Sequence, residues 1–129
     1  MKSKFSSLIA LTSFLFMTLT FHGFAKSNGG DDGKKTTITG EVIDMQCYTS
    51  SGAHGPDHKE CGTGCIKGGA PIGLLDKDGN VTLLVKDEKS AGDFPKLVDY
   101  VSQNVKVSGT LYKRGGISSM VVTTVAEAK

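Results

Sequence analysis

The segment from Cys47 to Cys65 constrains the fold of this chain more than any other part of its sequence. Within nineteen residues it contains all three cysteines and two of the three histidines, His54 and His58. The segment has several glycines and no apolar run, so it lacks an apolar core of its own. A metal ion or a disulfide is therefore expected to order it.

The first 25 residues have the pattern of a secretory signal peptide. Lys2 and Lys4 precede an apolar run over residues 8–21, and small residues follow it, with cleavage predicted after Ala25. The run is shorter than the ~20 apolar residues that a membrane span needs. We therefore expect an exported protein, periplasmic or secreted, with no membrane contact after cleavage.

Cleavage would leave 104 of the 129 residues, enough for one small domain. Two of the 15 basic residues and none of the 13 acidic ones lie in the leader, so the mature chain has a formal charge of zero. A neutral chain with only four mature aromatic residues does not suit nucleic-acid binding. We expect a monomer, whose partner would be another exported protein.

The predicted domain covers residues 36–127. Residues 26–35, before it, are polar and glycine-rich and predict a disordered linker. A β-rich stretch then runs from Thr36 to Tyr48, and its alternation predicts that Cys47 lies at the end of a strand, on the core side. Gly40 predicts a bulge or bend in that strand.

The rest of the domain has regular strand and helix patterns. Strands are predicted at residues 72–75 and 81–85 around the hairpin signal D-K-D-G-N, and at 105–111 and 117–125, with a helix beginning at Asp93. This order predicts a mainly β fold. We expect a five-stranded OB-fold-like Greek-key barrel with one helix between strands 3 and 4 and a Cys/His loop, residues 47–69, after strand 1.

A short helix is also predicted inside the loop. The sequence Gly-Pro-Asp57 indicates its start, with Asp57 as the N-cap, and Lys67-Gly-Gly indicates its end. Such a helix would place His58, Cys61 and Cys65 on one face, at i, i+3 and i+7.

Four side chains of the loop form the predicted metal site: Cys47, His58, Cys61 and Cys65. Three thiolates and one imidazole satisfy the ligand preferences of zinc, and soft thiolates suit copper equally well. The sequence therefore predicts one bound ion, zinc or copper.

Two further residues are secondary candidates for the metal site. His54 lies in a flexible, glycine-containing stretch, where a solvated histidine is as reasonable an interpretation as a ligand. Asp57 could cap the helix, orient an imidazole, or do both.

The cysteines also allow other interpretations. A disulfide between Cys47 and Cys61 would close a loop of about 15 residues, worth ~3 kcal/mol, and leave one spare thiol on a binding module. A reducible pair of Cys61 and Cys65 would instead make a thiol-disulfide redox protein.

A Ser/His/Asp triad would need a histidine outside the loop, and the mature chain has none. The sequence therefore favours metal binding, delivery or sensing over an enzymatic activity.

The domain resembles a group of small exported bacterial OB-fold-like proteins whose first inter-strand loop contains cysteines and histidines. The residues that carry the resemblance are G-E-V-I-D at 40–44 with Cys47, H-K-E-C at 58–61 with Cys65, and G-A-P at 69–71. The group has no assigned activity, so the resemblance implies no catalytic residue. The C-x-x-x-C pair by itself is similar to the copper-binding pair of cytochrome oxidase assembly factors.

Overall fold

The computed structural model describes residues 33–129. The predicted signal peptide, residues 1–25, and residues 26–32 of the predicted linker lie outside the described residues. The first strand begins at Lys34, two residues before the predicted start of the domain. Among the described residues, no helix has the length and apolar character needed to cross a membrane.

Five strands form a closed barrel in the order β1-β2-β3-β5-β4. Their bounds are β1 (Lys34–Asp44), β2 (Ile72–Leu75), β3 (Val81–Val85), β4 (Asn104–Arg114) and β5 (Ile117–Glu127). All neighbours are antiparallel except β3 and β5, which are parallel. The barrel closes because β1 pairs with both β2 and β4, and the five-stranded barrel fold is confirmed.

The helices are distributed differently from the prediction. Two α-helices lie between β1 and β2: α1 (Met45–Ser51) and α2 (Lys59–Lys67), with a 3-10 helix at Pro56–His58 between them. The α-helix predicted between strands 3 and 4 is wrong, because Phe94–Tyr100 forms a 3-10 helix there. The chain is extended again at Val101, which forms a bridge with Val42 of β1, so the segment stays short.

Alternating side chains of the strands fill the barrel. Along β4, for example, Val105 and Val107 point inward and are fully buried, while Lys106 between them is exposed. The 3-10 helix and the residue after it add Leu97 and Val101. The complete buried cluster is Val42, Ile72, Leu74, Leu84, Leu97, Val101, Val105, Val107, Met120, Val122 and Val125.

Near Gly40, β1 changes its pairing partner. It pairs with β4 from Lys34 to Glu41 and with β2 from Glu41 to Asp44. A Cβ atom at Gly40 would lie 2.5 Å from the carbonyl oxygen of Leu75, so only glycine allows β2 to approach this closely. Of the bulge or bend predicted at Gly40, the bulge is wrong, because the register against β4 is regular there and the register shift of the described strands lies between β4 and β5, at Ser108/Gly109.

Asp93 connects the 3-10 helix to β5. Its Oδ2 accepts a hydrogen bond from the Val125 amide at 3.1 Å, and its Oδ1 lies 2.7 Å from the ammonium group of Lys96. The hydrogen bond from Lys96, followed by that from Val125, lowers the pKa of Asp93 below its ordinary value. The ionised carboxylate is therefore the form that stabilises this connection.

We predict that Asp93→Asn lowers the stability of the domain at pH 7. A carboxyl with a lowered folded-state pKa contributes stability above its unfolded pKa of ~3.9, and loses that contribution as pH falls through the folded value. The difference between Asp93→Asn and wild type should therefore shrink in urea titrations as the pH falls below ~3.9. Asp99→Asn, at an exposed position, is the matched control. An equal loss in both variants would contradict the role of Asp93.

Candidate metal centre

Asp44 is the last residue of β1 and the N-cap of α1. Its backbone is extended, and its Oδ1 accepts a hydrogen bond from the Cys47 amide at 2.8 Å. A carboxylate that caps the first turn ends the strand and starts the helix. The predicted position of Cys47 at a strand end is therefore wrong, because the strand stops at Asp44 and Cys47 lies in the first turn of α1.

The second oxygen of Asp44 contacts His58. The His58 Nε2 lies 2.7 Å from the Asp44 Oδ2, and the Asp44 side chain has no exposed surface. Burial alone raises the pKa of this carboxyl, but the hydrogen bonds from the Cys47 amide, the His58 ring and the Cys47 thiol together lower it below its ordinary value. Asp44 thus joins the two helical segments of the loop through one ionised group.

The three cysteines converge on one point. Cys61 and Cys65 lie four residues apart on α2, as predicted, and face Cys47 on α1. The three sulfur atoms all lie within 4.8 Å of one another, a spacing that allows one metal ion to contact all three. Cys61 is exposed, whereas Cys47 and Cys65 are half-buried.

The Cys47 and Cys65 sulfur atoms are too far apart for a disulfide, at a distance that is compatible with binding one metal ion. Cys47 Sγ and Cys65 Sγ are 3.8 Å apart. A disulfide would require ~2.0 Å, whereas two metal–sulfur bonds of ~2.3 Å at a tetrahedral angle place the sulfurs about 3.8 Å apart. All three cysteines are free thiols, so the disulfide alternative is wrong for this structure.

Proximity to Cys65 changes the ionisation of Cys47. The hydrogen bond between the two thiols, together with burial and the negative charge of Asp44, raises the pKa of Cys47 to about 12. At neutral pH and without a cation, this sulfur is therefore a protonated thiol. A metal ion would have to displace the proton when it binds.

His58 belongs to a second, adjoining group. Its ring lies with Asp44 and Cys47, and these three ligand atoms are also within 4.8 Å of one another. His58 is the last residue of the 3-10 helix and the N-cap of α2, so it precedes the helix that contains Cys61 and Cys65. The two groups share Cys47. Binding of one ion by all four predicted ligands, the three cysteines and His58, stays a prediction.

The two secondary candidates lie outside both groups. His54 is half exposed, and its Nδ1 lies 3.4 Å from the Glu41 carboxylate. Asp57 is in the first turn of the 3-10 helix, but Gly55 is the N-cap of that helix, so the predicted capping role of Asp57 is wrong. The predicted helix end is confirmed, since α2 stops at Lys67 with Gly68 as its C-cap.

Gly62 allows α2 to pack closely against the buried pair. It is the buried residue of α2, and a Cβ atom there would lie 3.1 Å from Val101 Cγ1, 3.2 Å from Asp44 Oδ2 and 3.3 Å from His58 Cδ2. A Cβ atom at Gly64, two residues on, would have nothing within 4 Å. By helix propensity, both glycines simply weaken α2. Only the structure shows that Gly62 is tightly packed and that Gly64 is not.

We predict opposite effects for alanine at these two glycines. Gly64→Ala should raise the free energy of unfolding by up to about 1 kcal/mol, because it only improves helix propensity. Gly62→Ala should lower it by about 1–2 kcal/mol, because the methyl group crowds Val101 and the fixed Asp44 carboxylate. Urea unfolding with a chelator present measures both, and equal stabilisation by the two would contradict the close packing of α2.

Comparison with known proteins gives no match. No protein-family model matches the chain, and neither a curated protein nor a solved structure matches it. The function is therefore inferred from the residues and distances of the site.

Proposed function

We propose that this domain binds one transition metal ion, zinc or copper, through Cys47, Cys61 and Cys65, and that it serves in metal binding, delivery or sensing. The observation that carries the proposal is the convergence of three sulfur atoms within 4.8 Å, two of them at the 3.8 Å expected of tetrahedral ligands. Thiolates are soft ligands, which favours Zn(II) and Cu(I) over Mg²⁺ or Ca²⁺.

His58 is the proposed fourth ligand of this ion. Zinc in proteins is almost always four-coordinate, and the His58 ring lies beside Cys47 at the edge of the sulfur cluster. Its hydrogen bond to Asp44 supports this role, since ligating histidines are usually oriented by a carboxylate on the other ring nitrogen. Asp44 would then orient His58 without itself contacting the ion.

Unequal exposure of the ligands favours exchange over permanent storage. Cys61 is exposed and the other two cysteines are half-buried, so a ligand from a partner could reach the ion from the side of Cys61. We propose an exported monomer, periplasmic or secreted, that exchanges its ion with another exported protein. Membership of the exported OB-like group is part of the same proposal.

The first test measures ion binding by the mature protein. Zn(II) and Cu(I), each titrated against a competing chelator, should bind with one ion at the three thiols. Zn(II) at 100 times its dissociation constant should raise the free energy of unfolding by about 2.7 kcal/mol. Cys61→Ser should weaken binding by at least about tenfold, since one of three thiolates is lost.

Thr63→Ser is the matched control, because Thr63 lies between the two cysteines of α2. It should leave the affinity unchanged. Binding that is unaffected by Cys61→Ser, or no binding of either ion, would overturn the proposal. A preference for Cu(I) or Zn(II) in the same titrations would identify the metal.

Metal binding should release protons and weaken as pH falls. Because the pKa of Cys47 is about 12 in the metal-free protein, its proton must leave when the ion binds. We therefore expect at least one proton to be released per ion and the affinity to fall by about tenfold or more per pH unit on acidification. Calorimetry in buffers of different ionisation enthalpy counts the protons, and a count near zero would exclude thiolate ligation.

A further inference from the structure

Cys47 is shared by two groups of potential ligands, and we infer that the loop can bind two divalent ions at once. The first position is the three-thiolate site, and the second consists of Asp44, Cys47 and His58, with the Cys47 thiolate bridging both ions. This inference rests on the proposed function, because the bridging Cys47 thiolate belongs to the proposed three-thiolate site. It changes the role of Asp44 from orienting His58 to binding a second ion, and it makes His58 a ligand of that second ion in place of the first.

The second group supplies a different set of ligand atoms. One carboxylate oxygen, one imidazole nitrogen and one thiolate lie within 4.8 Å of one another. Such a mixed set suits Zn(II), which accepts oxygen, nitrogen and sulfur, better than Cu(I), which prefers sulfur. We therefore expect two Zn(II) ions but one Cu(I) ion.

Binding at the second position would replace the hydrogen bond between Asp44 and His58. The oxygen and nitrogen are 2.7 Å apart, whereas tetrahedral bonds of about 2.0–2.1 Å to one zinc ion would place them about 3.3 Å apart. The two atoms must therefore separate by about 0.6 Å. Asp44 is fixed in the barrel, so His58, which is 14% exposed and lies in a short 3-10 helix, is the side chain that would move.

The charge of the loaded site favours a second divalent ion. Three thiolates and the Asp44 carboxylate carry four negative charges, and one divalent ion would leave two of them uncompensated. Asp44 is fully buried, where uncompensated charge is costly. The lysines of α2, Lys59 and Lys67, are exposed to solvent and screened, so a second ion is the stronger source of compensation.

Native mass spectrometry of the mature protein with Zn(II) tests the inference, with a moderate chelator present to remove weakly bound surface ions. Wild type should contain two ions per chain. His58→Gln should contain one, because it loses the second position, and Cys61→Ser should contain one, because it weakens the first. The matched control His54→Gln should still contain two, since His54 lies outside both groups.

Cobalt(II) gives an independent readout that does not depend on any variant. Two Co(II) ions joined by the Cys47 sulfur should couple magnetically, so adding the second ion should reduce the electron paramagnetic resonance signal per cobalt. Two isolated ions would instead give additive signals and would overturn the bridging role of Cys47.

The possible ion counts separate the two proposals. One Zn(II) at saturation in wild type would overturn the second position and leave the proposed function intact, whereas no bound ion would overturn both. Two ions retained in a folded His58→Gln protein, with its fold checked by circular dichroism, would show surface binding and would also overturn the second position.

Discussion

The buried carboxylate of Asp44 is the group on which the whole site depends. It is fixed by the register of β1 against β2, where it pairs with Ile72. A charged group with no exposed surface needs hydrogen-bond partners, because burying it unpaired is costly. Its two oxygens find them in the Cys47 amide and the His58 ring. The contacts that satisfy the carboxylate therefore also bring two candidate ligands together.

The barrel positions the other two cysteines through α2. Gly62 lets the helix approach Asp44 and Val101, and Ile66 packs against the buried core from the same helix. Cys61 and Cys65 are thus placed by packing against a rigid element, although the loop contributes little core of its own. Cys61 is exposed to solvent. The site is therefore held rigidly on the side that packs against the barrel, while solvent molecules can reach it on the side of Cys61. The barrel thus supplies Asp44 and a rigid base, while the cysteines and His58 come from the loop.

Local patterns are sufficient to predict most of the barrel. The β2–β3 hairpin follows from D-K-D-G-N, since Asp76 accepts hydrogen bonds from the amides of Asp78 and Asn80. The capping role of Asp44 is missed because the alternation of apolar residues continues past it to Cys47. The signal that could have revealed it is an aspartate three residues before Cys47, the spacing of an N-cap.

The orientation of His58 cannot be predicted in the same way. Spacing along the chain places it on the face of Cys61 and Cys65, but its partner Asp44 lies fourteen residues away and on the barrel. His58 also ends a separate 3-10 helix at Pro56–His58, before α2 begins at Lys59. Contacts that are distant in sequence decide such details, and periodicity contains no information about them.

The surroundings of Cys47 do not suit it to act as a redox nucleophile. A reactive cysteine needs a lowered pKa, so that it is a thiolate at neutral pH. Cys47 has the opposite property: Cys65, burial and Asp44 raise its pKa to about 12. Thiolates crowded together beside a buried carboxylate repel one another unless a cation lies among them. The same crowding that makes Cys47 a poor nucleophile therefore means that a bound cation would favour its thiolate form.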